Sequence, residues 1–189
     1  MNGTSPARSA AARAARLIGR HKVISSVTAV FAAAAIAVSL ATSGTAAPRS
    51  YPAAHGFTLT ALGKPGQQVS LSQYQGKPVI INFWASWCEP CQKETPLLAS
   101  WYKQQDGHVV LLGLDENDTA ANALKFAAAK GVSYPIGFDP NTIVPSSYNV
   151  DDLPQTFFLN ARHQIVDHVF GAVTAAMLAK GLSLMKSAS

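Results

Sequence analysis

The sequence predicts an α/β fold: a central mixed β-sheet flanked by helices, preceded by an N-terminal transmembrane or signal helix. Three observations predict it. Two continuous apolar, β-branched runs, PVIINFW (78–84) and HVVLLGLD (108–115), have the pattern of strands buried on both faces. Helical patterns follow each of them, so strands and helices alternate. Far upstream, five cations precede an uncharged apolar run of nineteen residues, VISSVTAVFAAAAIAVSLA (23–41).

The leader divides into a positively charged stretch at 1–22, the apolar segment at 23–42 and a linker at 43–54, with the folded domain at 55–189. The apolar run approaches the roughly 20 residues of a bilayer-spanning helix. It is also rich in Ala and Ser, and the small residues around Ala46 and Ala47 suit a signal-peptide cleavage site. The length favours an uncleaved anchor, with a secreted or periplasmic product as the alternative. No cysteine lies near the junction, which excludes a lipid-modified cysteine anchor. In either case the domain is expected outside the cytoplasm, where disulfides persist.

Within the domain, FTLTALGKPGQQVSLS reads as two short strands around a Gly- and Pro-rich turn. After strand 78–84 a helix is expected from Glu89 to near Gly107, with Pro90 harmless in its first turn and Pro96 inside it as a kink. After strand 108–115, Asn117 or Asp118 is expected to cap the helix TAANALKFAAAK, which stops at Gly131. A loop carrying Pro135, Pro140 and Pro145 leads to a strand at 156–159 and its hairpin partner at 163–171. TAAMLAKGLSLMKS reads as a terminal helix. From residue 78 the order is β, α, β, α, β, β, α.

The net charge of +5 suggests nucleic acid until its distribution is considered. Residues 1–47 carry Arg8, Arg13, Arg16, Arg20 and Lys22 and no acid, whereas the rest of the chain carries ten cations and ten acids. The basic balance belongs to the leader, and no basic patch argues for a nucleic-acid partner.

The only two cysteines, Cys88 and Cys91, stand in WCEPC. A structural disulfide closing so short a loop would stabilise little. A zinc site needs two more ligands, and His163 and His168 lie too far along the chain and an odd number of residues apart, so no metal is expected. Redox chemistry suits the position. A strand runs into the pair and a helix starts on it, so free N–H groups and the positive end of the helix dipole favour a Cys88 thiolate. Cys88 is then the attacking sulphur, and Cys91, one turn in, resolves the mixed disulfide.

WCEPC after that strand resembles thioredoxin-like proteins, and more closely the TlpA-like and ResA-like membrane-anchored thiol–disulfide oxidoreductases. The resemblance extends through GFTLTALGKPGQQVSLSQYQGKPVIINFW, QKETP, GVSYPIGFDP and DLPQTFFLN. It implies a thioredoxin fold, no cofactor beyond the Cys88–Cys91 pair, and a cis Pro154 set against the cysteines. It also implies a partner-binding surface of Trp87, Leu153 and Pro154, and redox tuning by Pro90. Thioredoxins carry a buried Asp where this chain has Asn82. The ResA-like group shares that departure and a Glu past the second cysteine, here Glu94. Glu94 is expected to tune the pair or relay protons, against the alternative of a solvated acid in an early helical turn. Glu89, beside Cys88, should disfavour the thiolate and push the pair towards a mild reductant.

The expected activity is reduction of disulfides in exported cysteine-containing proteins, with apocytochrome c as a candidate substrate and a membrane thiol donor as electron source. The nearest alternative is a disulfide-forming oxidase. A peroxiredoxin would need a PxxxT-C setting that WASWCEPC lacks, and a noncatalytic binding module would not need both cysteines.

Overall fold

The computed structural model describes residues 50–188. The cationic leader and the apolar run lie outside the described residues, as does most of the linker. Among those described, no helix is long and apolar enough to cross a membrane.

In chain order the elements are β1 (Thr58–Ala61), β2 (Gln68–Ser70), a 3-10 turn (Leu71–Tyr74), β3 (Val79–Trp84), α1 (Glu89–Lys103), β4 (Val110–Glu116), α2 (Ala120–Ala129), β5 (Ile136–Asp139), α3 (Ile143–Tyr148), β6 (Gln155–Leu159), β7 (Ile165–Phe170) and α4 (Ala175–Ser187). They build one seven-stranded sheet in the order β2-β1-β5-β4-β3-β6-β7. β3 pairs parallel with β4 and antiparallel with β6, and β4 pairs parallel with β5. The sheet is therefore mixed, with β4 at its centre and β3 beside it. Upstream of β1, Pro52 and Ala54 hydrogen-bond to the chain entering β7.

Every residue of β3 and β4 is buried, which their mostly apolar runs suit, and Asn82, Asp115 and Glu116 are buried with them. Alternate β3 side chains serve two cores. Val79, Ile81 and Phe83 pack with β4 and β6 beneath α3 and the 3-10 turn. Ile80 packs with Leu98 of α1 and with Leu178 and Met185 of α4. A third cluster gathers Trp84, Ala85, both cysteines, Ala123 and Phe126, so the redox pair stands on the α1–α2 side of the sheet.

Three local expectations change. The loop of prolines contains β5 and α3. Ile136–Asp139 finds partners on both sides, β4 and β1, and Pro145 falls in the first turn of α3, where it removes no helical hydrogen bond. The cap of α2 is Thr119 rather than Asn117 or Asp118. Its hydroxyl accepts the Asn122 N–H, while Asp118 spends its carboxylate elsewhere. Helix α1 carries Pro96 inside it, as expected, and ends at Lys103 rather than near Gly107. Gly131, at φ +66°, ends α2 in the left-handed conformation, as expected.

Gly181 in α4 lies directly on the ring of the fully buried Phe158, and a Cβ there would run into it. We expect Gly181→Ala to destabilise the oxidised domain in urea. Overpacking costs about 1–3 kcal/mol, which outweighs the roughly 1 kcal/mol that Ala gains in helix propensity. An unchanged unfolding midpoint would contradict this close approach.

Candidate functional site

β3 delivers the chain to the start of α1, and Cys88 caps that helix in extended conformation. Its Sγ accepts the Cys91 N–H at 3.2 Å. Pro90, in the first turn, has no donor to leave unsatisfied. The two cysteines form a disulfide with a Cα–Cα separation of 5.2 Å. Cys91 is fully buried, and Cys88, 4% exposed, is the one that lines a cleft of about 460 Å³. This asymmetry suits Cys88 to attack and Cys91 to resolve.

The other predicted contact residues gather around Cys88. Trp87, 58% exposed, stands at the cleft, and its indole N–H donates to the Asn117 carbonyl at 3.0 Å. Leu153 lines the same cleft and packs against the cysteine cluster. The Leu153–Pro154 bond is cis, and the Pro154 carbonyl accepts the Gly171 N–H at 2.9 Å. Glu89 points into solvent, with its carboxylate 2.8 Å from Lys93 Nζ. That hydrogen bond and charge hold the Glu89 carboxyl below its ordinary range. A carboxylate already paired opposes the Cys88 thiolate less than a free one, so the expected effect of Glu89 is weakened. His163 and His168 are engaged elsewhere, against the Tyr74 carbonyl and the Gln155 side chain.

Glu94 is not a solvated acid. It is buried beneath α1, where Oε1 accepts from Asn82 Nδ2 at 2.8 Å and Oε2 from the Val173 N–H at 2.7 Å. Asn82 also donates to Thr156 Oγ1 at 3.0 Å. Burial pushes the Glu94 carboxyl up, the two hydrogen bonds pull it back, and the balance lies at about 7. A group with that value exchanges a proton near neutrality, which a relay needs.

Two further acids were not singled out in the sequence. Asp115 and Glu116 end β4, both buried. Burial, then the charges of Asp118 and Glu116, push Asp115 up to about 8. Burial and Asp139 do the same to Glu116, which lines the cleft beside Cys88. Their signal was available: DEND follows an apolar run, and sites in sheets with parallel strands lie beyond the strands' carboxyl ends.

A sulphur that must be reached by a partner, and a second kept from solvent until the first is engaged, have one use in such a setting. Fold and site together define a thioredoxin-like thiol–disulfide oxidoreductase. The AhpC/TSA family model matches residues 52–168. The thiol–disulfide oxidoreductase ResA of Bacillus subtilis is 36% identical over 124 residues, covering 64% of this chain and 68% of that protein. ResA of Geobacillus kaustophilus is 33% identical over 133 residues, covering 69% and 74%. The crystal structure of StoA from Bacillus subtilis superposes with a TM-score of 0.59 at 26% identity, covering 68% of this chain and 96% of that one. The chain belongs to the AhpC/TSA family and is a homologue of the ResA thiol–disulfide oxidoreductases.

Glu94, Asp115 and Glu116 all bind protons more tightly folded than unfolded. Their contribution to stability is full below about pH 4 and is lost as pH rises through about 7 to 8. His168, whose value burial lowers, acts oppositely, but only below its ordinary 6.5. The oxidised domain should therefore melt at a lower temperature at pH 8.5 than at pH 5.5. Combining Glu94→Gln, Asp115→Asn and Glu116→Gln should flatten that slope. A melting temperature that rises over this range would refute the assignment.

Proposed function

We propose that this chain is an extracytoplasmic, membrane-tethered disulfide reductase acting on exported cysteine-containing proteins. The observation that carries the direction is the charge around Cys88. Glu89, Asp151 and Asp152 line its cleft together with Glu116, which is charged only above about pH 8, and among the described residues no Lys, Arg or His lines it. Strong oxidants work because their reduced, thiolate form is unusually stable. Here the helix N-terminus favours the thiolate while the carboxyls oppose it, so the disulfide form is comparatively favoured and the dithiol gives up its electrons readily.

The cycle follows. The Cys88 thiolate attacks one sulphur of a substrate disulfide, forming a mixed disulfide and releasing the other substrate sulphur as a thiolate, which takes up a proton. Cys91 loses its proton and attacks Cys88 Sγ. The Cys88–Cys91 disulfide closes, and the second substrate sulphur leaves as a thiol. Two electrons pass to the substrate, and a thiol donor at the membrane restores the dithiol. Glu94, with a value near neutrality, is the group suited to take the Cys91 proton. The cationic leader and apolar run support export and anchoring. Among exported substrates, apocytochrome c is the candidate drawn from the family resemblance.

The wild-type protein should reduce insulin with dithiothreitol as electron source. Its reduction potential should lie nearer thioredoxin's value of about −270 mV than the roughly −120 mV of a strong oxidase. A value at the oxidising end would reverse the direction. Cys91→Ser should accumulate a mixed disulfide on Cys88, whose partner names the substrate, and Cys88→Ser should trap nothing. In Glu94→Gln the pH profile of Cys88 alkylation should shift, and an unchanged profile would remove Glu94 from the proton path.

A further inference from the structure

The segment between β4 and α2 reaches the two residues that precede Cys88. Asp118 Oδ2 accepts the Ser86 N–H at 2.8 Å, and the Asn117 carbonyl accepts the Trp87 indole N–H at 3.0 Å. Gln92, early in α1, donates to the Ser86 carbonyl at 2.8 Å. Both peptide groups of Ser86 are thus held by side chains. The second Asp118 oxygen accepts the Thr119 N–H at 2.6 Å, where α2 begins. One carboxylate therefore joins the lip of the redox helix to the start of its neighbour.

Behind that carboxylate lies Asp115. It is wholly buried, and neither of its oxygens has a protein donor. Of the charges around it, that of Asp118 bears on it most strongly. Two ionised carboxylates so placed repel strongly, and one proton between them turns repulsion into a hydrogen bond. Asp118 already accepts two backbone N–H groups and Asp115 accepts none, so the proton belongs on Asp115.

We propose that Asp118 is a positioning residue for Cys88, and that Asp115, as a neutral acid, holds the Asp118 carboxylate against the Ser86 N–H. The proposal rests on the reading of Cys88 as the attacking sulphur and adds what fixes its approach. With the latch closed, Ser86 and Trp87 present a set surface to the incoming disulfide. The groups that bear on Asp115 are Asp118 in the next loop and Glu116 beside it on β4, with Asp139 of β5 behind Glu116. Among the described residues no cation bears on it. Burial and these charges hold the Asp115 proton to about pH 8. Above that, a second negative charge would drive Asp118 off the Ser86 N–H.

Two measurements test this. In insulin reduction at pH 7, Asp118→Ala should lower kcat/KM about tenfold. Asp118→Asn, whose amide oxygen still accepts the Ser86 N–H, should recover most of the loss. Asp115→Ala should fall in the same direction and Asp115→Asn should restore it, the amide N–H replacing the acid proton. In the oxidised protein neither cysteine titrates, but Glu94 and Glu116 do between pH 6 and 9.5, so the latch is read as the part of the tryptophan fluorescence step that is lost in Trp87→Phe. Wild type should show a step near pH 8 that disappears in Trp87→Phe and in Asp115→Asn. Glu116→Gln should keep the step but move it to lower pH, because a like charge is removed. Wild-type kcat/KM in Asp118→Ala, or a step that survives in Asp115→Asn, would overturn the proposal. A wild type that does not reduce insulin would overturn the reductase reading instead, and the fluorescence titration would still decide the latch.

Discussion

A carboxyl group buried beneath α1 is the constraint around which the redox centre is arranged. Desolvating a charged carboxylate carries a penalty of several kcal/mol unless donors meet it. Glu94 is met twice, by Asn82 from β3 and by the Val173 N–H from the approach to α4. Asn82 extends the network to Thr156 of β6. Three separate parts of the chain thus converge on a group three residues past Cys91. Because its proton affinity sits near neutrality, its charge is not fixed. Gain or loss of that proton alters hydrogen bonds that reach β6, one residue past the strand's start behind Pro154, and the chain just after Gly171, whose N–H meets the Pro154 carbonyl. The proton and the partner-binding loop share supports.

The electrostatics of Cys88 are a contest between small effects. A helix N-terminus contributes about 0.3–1 kcal/mol to a nearby negative charge, less than one unit of pKa. The Cys91 N–H aimed at Cys88 Sγ adds a hydrogen bond of the same order. Against these stand the carboxyls of the cleft, of which Glu116 is buried and Glu89 is paired with Lys93. An exposed pair on one helix face is weakened by solvent, so Lys93 offsets Glu89 without reversing it. Glu116, whose carboxyl is pushed up to about 8, adds its charge only as pH rises past neutrality, so below that Glu89 and the two aspartates of the cleft are what oppose the thiolate.

What could be read from the sequence divides along physical lines. β3 and β4 were legible because strands covered on both faces are apolar along most of their length. The start of α1 was legible because the strand stops at the motif and Pro90 suits a first turn. β5 was not: its four residues alternate between buried and half-buried and stand between prolines, and only pairing with β1 and β4 makes them a strand. Helical spacing put Glu94 on the face of Cys91 but could not say what covers that face. The cover comes from Val173, 79 residues away, and from Asn82, 12 residues back. Asp115 was placed in a buried strand and Asp118 read as a helix cap, but that Asp118 reaches back to Ser86, 32 residues away, follows only from how the loops meet after the sheet is assembled.

The replacement of an acid by Asn82 then has a structural consequence. Asparagine donates without titrating, so it supports the Glu94 carboxyl at any pH and removes a competing charge from the interior of the sheet. Had an aspartate stood there, two buried carboxyls would face each other, and one would have to stay protonated, as Asp115 does beside Asp118. The molecule thus separates two tasks that a single acid pair would mix. Beneath α1, one titrating group has neutral donors around it and can pass a proton during exchange. Beyond the end of β4, two carboxyls share a proton tightly enough to keep it through neutral pH, which suits them to hold a loop in place.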